Sequence, residues 1–118
     1  MVKLESLKKS YQFKRTLKEK KVHSEYFSIF ATKNFYQPEY KSNLIISFVM
    51  KKKIGNAVKR NKIRRKLKAI VQKLLKKRGA ISKDYTYIVL GKSNAYTQKQ
   101  TVLMPLMEQS FKTIKIKW

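Results

Sequence analysis

Cysteine is absent from this sequence of 118 residues, and histidine occurs once, at His23. No disulfide, thiolate metal site or histidine pair can form, so a structural zinc site is not expected. Acidic residues are also scarce: Glu5, Glu19, Glu25, Glu39, Asp84 and Glu108 are the only six, and they are scattered. A hydrolase that works through its own side chains needs clustered carboxylates or an acid–base pair, and neither pattern is present. No catalytic residue is expected in the chain, and His23 is expected on a turn or strand surface. No run of about eighteen apolar residues occurs, so no membrane span is expected. The opening MVKLESLKKS lacks the apolar stretch of a signal peptide, which points to a cytoplasmic protein.

What the sequence has in excess is positive charge. Thirty Lys and Arg against six acids give a formal net charge of +24. With 42% hydrophobic residues the chain still has enough apolar material to fold, and its length fits a single domain spanning residues 1–118. A folded polycation repels itself, and a polyanion that binds the folded state relieves that repulsion. Nucleic acid is the first partner to consider.

Patterning gives an α+β reading, with one mainly antiparallel sheet and helices packed against it. From Ser10, taken as a helix cap, YQFKRTLKEKK places Phe13 and Leu17 on one face of a short amphipathic helix. EYFSIFATK, residues 25–33, reads as a strand with Tyr26, Ser28 and Phe30 on one side and Phe27 and Ile29 on the other. A polar turn around Gln37 and Pro38 follows. LIISFVM, residues 44–50, is apolar on both faces, as a central strand would be. Beyond Gly55 and Asn56 the period becomes helical, with Ile63, Leu67, Ile70, Val71, Leu74 and Leu75 in one stripe up to about Gly79. YTYIVL, residues 85–90, is a further strand, residues 91–94 a loop, and residues 98–113 a last helix that Pro105 kinks or breaks.

The long helix carries the chemistry. Between Lys51 and Arg78 stand fourteen Lys and Arg and no acid, so every stabilising i,i+4 ion pair is forgone. At 100° per residue, Asn61, Arg64, Arg65 and Lys68 occupy about a third of the circumference beside the apolar stripe, where they can face one partner. Arginine suits phosphate oxygens because its planar guanidinium offers two parallel donors. A solvated basic face is the plain alternative, and the lack of compensating acids weighs against it.

Order along the chain says more than charge. The string K-K-x-G-N-A-V-x-R-N-x-x-[KR]-R is met from Lys52 to Arg65, and it resembles the signature of the protein subunit of bacterial ribonuclease P. L-K-K-S-x-x-F near the start and K-D-Y-x-x-I-V from Lys83 to Val89 extend the resemblance over most of the chain. It implies a four-stranded sheet with a left-handed β-α-β crossover, with Gly55 and Asn56 at the turn from strand to crossover helix. It also implies a catalytic RNA subunit that removes the 5′ leader of precursor tRNA by Mg2+-dependent hydrolysis. The protein then binds the ribonuclease P RNA and grips the leader; it holds no cofactor alone and needs no obligate protein partner.

Carried over residue by residue, the resemblance implies two surfaces. One is an RNA-binding face of Lys52, Lys53, Asn56, Arg60, Asn61, Lys62, Arg64, Arg65 and Lys68. The other is a leader cleft of Phe13, Leu17 and Phe30 with Arg60 and Asn61 at its edge, rings for bases beside cations for phosphates. The chain departs from the usual pattern at Lys51, Lys62, Lys68, Ala69 and Gly91, where the family more often has serine, arginine, an Arg-Glu or Arg-Gln pair, and arginine. A structural RNA-binding protein of the ribosomal type is the alternative, and a DNA-compacting protein a more distant one. Both account for the charge, and neither accounts for the ordered string.

Overall fold

The computed structural model describes residues 3–34, 43–77 and 79–116. The expected turn at Gln37 and Pro38 lies outside them. In chain order the elements are β1 (Leu4–Glu5), α1 (Ser10–Lys18), β2 (Lys20–His23), β3 (Phe27–Lys33), β4 (Leu44–Met50), α2 (Ala57–Leu74), β5 (Tyr85–Gly91) and α3 (Gln100–Ile116). Short 3-10 turns at Lys52–Ile54 and Ser93–Tyr96 precede α2 and α3. The sheet is five-stranded, in the order β1-β4-β5-β3-β2.

The α+β class holds, with one strand more than the expected four and more parallel pairing. β2–β3 and β3–β5 are antiparallel, whereas β1–β4 and β4–β5 are parallel. The parallel β4–β5 pair is the consequence of α2, which carries the chain from the end of β4 back to the start of β5. β1 has only two residues, too few for any periodicity to declare.

Strands β3, β4 and β5 are largely buried on both faces, with α2 and α3 packed on one and α1 on the other. On one face Phe27, Ile29, Leu44, Ile46, Tyr87 and Val89 form the main core with the α2 stripe and with Leu103, Met107 and Phe111 of α3. Tyr87 and Phe111 meet edge to face, centroids 5.1 Å apart. On the other face Ile45 and Ile88 pack with Leu7, Phe13, Phe30 and Val49 beneath α1. Only part of this second face is covered.

Several local expectations are corrected. Ser10 is the first helical residue rather than the cap; Gln12 Oε1 instead reaches back to accept from the Lys8 and Lys9 amides, 2.9 and 3.0 Å. The helix stops at Lys18, and residues 20–23 form an edge strand, whose lysines fit a sheet edge that must stay unpaired. Tyr26 lies just before β3 and packs against the main core, so it does not share the open face with Ser28 and Phe30. α2 stops at Leu74, with Leu75 as its C-cap. β5 extends to Gly91, and α3 starts at Gln100 and runs unbroken through the exposed Pro105.

The turn into α2 divides its labour. Gly55 takes φ 156°, and Asn56 has an ordinary φ of −72° and serves as N-cap, its Oδ1 accepting from the Lys59 amide at 2.9 Å. Gly91 is crowded rather than turned. It stands opposite Met50 in the parallel register, and a Cβ there would run into Met50 Sδ and come within 3.0 Å of Ile63 Cγ2. The arginine more usual at this position would require Met50 and Ile63 to shift.

Candidate nucleic-acid interface

α2 buries Ile63, Leu67, Ile70, Val71 and Leu74 against the sheet, which leaves two cationic flanks. The flank towards α3 is occupied by the protein itself. Lys66 Nζ donates to the carbonyls of Ala95, Tyr96 and Gln98 at 3.0, 2.8 and 2.6 Å, and so fastens the second 3-10 turn to the helix. Burial lowers the pKa of the Lys66 ammonium from its usual value, and the nearby charge of Lys62 lowers it further. Lys59 reaches Ser93 Oγ at 3.0 Å, and the ammonium groups of Lys59 and Lys62 stand 5.2 and 4.9 Å from the centre of the Tyr96 ring. Lys73 meets Gln100 at 3.1 Å.

The rest of the basic set is unengaged. Among the described residues no side-chain partner is found for Lys52, Lys53, Arg60, Arg65 or Lys68, and Arg64 is paired only with Asn61, whose Oδ1 accepts from Nη1 at 2.7 Å. Asn61 thereby orients a guanidinium without neutralising it. Asn61, Lys62 and Arg65 line a shallow depression on the outer face of α2 around Val58, which is 74% exposed. Of the nine residues assigned to RNA binding from the sequence, Asn56 has a structural task as N-cap and Lys62 leans on Tyr96. The others present charge or a hydrogen-bonding group to solvent.

Phe13, Leu17 and Phe30 come together. They line one groove of about 420 Å³ with Val49, Lys51, Ile88 and Leu90, between α1 and the uncovered part of the sheet. The helix places Phe13 and Leu17 there because its sheet-facing positions are taken by Gln12 and Thr16. Both polar groups are satisfied locally: Gln12 by the amides it caps, Thr16 by its bond to the Gln12 carbonyl at 2.8 Å. Phe13 and Phe30 are half-buried, and Leu17 is 45% exposed. Arg60 and Asn61 do not line this groove. The cation on its wall is Lys51, which also borders an adjoining depression of about 350 Å³ with Lys53 and Lys92. Val49, Ile88 and Leu90 are groove residues that sequence reasoning misses; the double-sided apolar pattern of β4 and β5 is the signal that could have found them.

Among the described residues no group of three or more His, Cys, Asp or Glu could hold a metal ion. No helix among them is long and apolar enough to cross a membrane.

Comparison with known proteins gives these features a context. The profile of the family described as Ribonuclease P matches residues 1–115. The ribonuclease P protein component of Mycoplasma capricolum is 29% identical over 109 residues, covering 92% of this chain and 94% of the relative. The fold is similar to the ribonuclease P protein of Staphylococcus aureus, with a TM-score of 0.68 and 26% identity over 93% of this chain and 94% of that one. It is also similar to the ribonuclease P protein of Thermotoga maritima, with a TM-score of 0.72 and 23% identity over 93% and 97% of the two chains.

Proposed function

The chain belongs to the ribonuclease P protein family, and on that premise we propose that its two surfaces divide the work between catalytic RNA and substrate. As the protein component of ribonuclease P it acts in tRNA processing, in an enzyme whose RNA subunit is the catalyst. The free flank of α2, with Arg60, Arg64, Arg65 and Lys68, together with Lys52 and Lys53 before it, meets phosphates of the RNA subunit and of the neighbouring leader. The groove of Phe13, Leu17 and Phe30 receives the 5′ leader of precursor tRNA. An unpaired strand offers both of its chemistries there, since bases stack on the rings while phosphates meet Lys51 at the wall. A stem of paired RNA hides its base faces and gains nothing from such a groove.

The observation that carries this reading is the segregation of cations on α2. Four lysines are spent on the protein's own second 3-10 turn and α3, and the remaining basic groups, on one flank and in the preceding turn, have no acidic partner among the described residues. Mg2+ would act with the RNA subunit, which is the catalyst; among the described residues no group of three or more His, Cys, Asp or Glu could hold a metal ion. A cytoplasmic setting follows from partners of this kind. A structural RNA-binding protein of the ribosomal type would share the charge but support no reaction.

The test is to mix the protein with its cognate catalytic RNA and precursor tRNA at low Mg2+ and follow leader release. The proposal expects the protein to stimulate release by screening the repulsion between two polyanions. Release at the same rate with and without the protein would refute it.

A further inference from the structure

The open face of the sheet continues beyond the groove to the edge strand β2. One cross-strand row on that face reads His23, Ser28, Leu90 and Val49 across β2, β3, β5 and β4. Its last two members line the groove, and its first is the chain's single histidine, exposed at the sheet edge. The neighbouring strand position Val22 packs into the main core, which fixes His23 on the groove side. His23 also touches the groove through Phe30: the two rings meet edge to face at 85°, centroids 6.0 Å apart.

Ser28 decides how the imidazole is presented. Its side chain is buried at 1% exposure, and among the described residues its hydroxyl has one partner, His23 Nδ1 at 2.6 Å. A buried hydroxyl hydrogen left without an acceptor costs free energy, so the Ser28 O–H donates and Nδ1 accepts. In the neutral ring the remaining hydrogen is then on Nε2. That atom is the ring's outward donor.

We propose that His23 contacts the leader, with Ser28 fixing its tautomer and Phe30 its ring plane, so that Nε2–H donates to a phosphate oxygen of the nucleotide next to the one stacked on Phe30. This rests on the reading of the Phe13–Leu17–Phe30 groove as the leader site and extends that site by one nucleotide towards the sheet edge. The ligand is a single-stranded phosphodiester, because a base on Phe30 brings its backbone to the level of the next strand, about 4.8 Å away. Lys21, the register partner of Phe30, adds positive charge on the same strand.

The experiment titrates holoenzymes carrying wild-type protein, His23→Ala, His23→Gln and His23→Phe with precursor tRNA and with mature tRNA. A hydrogen bond of this kind contributes about two- to tenfold in affinity. His23→Ala and His23→Phe are expected to weaken precursor binding by that factor, and His23→Gln, which keeps an N–H donor, to retain most of it. Mature tRNA should bind all four alike, and trimming the leader to one nucleotide should erase the difference on the precursor. His23→Phe preserves a ring against Phe30, so wild-type affinity in that variant would reduce His23 to a packing residue and overturn the proposal. Equal losses for precursor and mature tRNA would also overturn it. Leu17→Ala is titrated alongside as the groove control: a leader-dependent loss in it with none in His23→Ala refutes the histidine contact alone, and no leader dependence in either variant refutes the groove reading beneath it.

Discussion

Leu17→Ala separates binding from folding more cleanly than any other change in the groove. Phe30 also packs against the cluster of Ile45 and Ile88, so its truncation mixes a folding loss with a binding loss. Leu17 is 45% exposed on the wall of the groove. Complete burial of a leucine contributes about 1.5–3 kcal/mol, so covering the part still exposed contributes roughly 1 kcal/mol. Leu17→Ala should therefore weaken binding of precursor tRNA to the holoenzyme about three- to tenfold. Alanine is the best helix former, so α1 itself is not weakened by a poorer propensity. The assay is a pair of equilibrium titrations, precursor and mature tRNA against wild-type and variant holoenzyme, with a thermal melt of each protein. The expected loss is confined to the precursor. If both ligands lose equally, or if neither does, no leader base covers Leu17 and the groove has another use.

Two further outcomes follow from the same geometry. Replacing Arg64 and Arg65 together by alanine should weaken assembly with the catalytic RNA and flatten its salt dependence, by about 0.7–0.9 in the log–log slope for each phosphate no longer neutralised; an unchanged slope would mean that the pair does not touch phosphates. Gly91→Ala should destabilise the protein by about 1–3 kcal/mol through overpacking against Met50 and Ile63, a fall in Tm of about 4–12 °C, with Met50→Val recovering part of it; an unaltered Tm would show that the sheet end accommodates a side chain.

How much of this chain is legible in its sequence depends on how local each signal is. The α2 stripe is read directly because burial against the sheet imposes a helical period on eighteen residues, and β4 and β5 because burial on both faces makes seven-residue runs mostly apolar. The strand β2 is hidden, since KKVH at a sheet edge has a single apolar residue and follows a helix of similar composition. The inner face of α1 is hidden too: Gln12 and Thr16 are buried because their polar groups are satisfied locally, which releases Phe13 and Leu17 to the groove.

Site residues divide in the same way. Phe13, Leu17 and Phe30 are legible as a set, but the cation beside them depends on the turn after β4, which brings Lys51 rather than Arg60 and Asn61 to the wall. The roles of Lys59, Lys62 and Lys66 depend on a 3-10 turn about thirty residues further along the chain, and no spacing in the sequence distinguishes a lysine that fastens a turn from one that meets RNA. Gly91 shows the converse. In sequence it is only a departure from the usual arginine, and in the structure a side chain there would meet Met50 and Ile63.

Whether the leader lies in the groove beneath α1 can be read by crosslinking. A photoreactive nucleotide is placed at successive positions along the leader of precursor tRNA, and the precursor is bound to the holoenzyme. With the leader in the groove, positions near the cleavage site should crosslink to Phe13, Leu17 or Phe30, and the same probe in the mature tRNA body should label none of them. Crosslinks from every leader position to α2 alone, with the groove unlabelled, would place the leader elsewhere and refute the assignment.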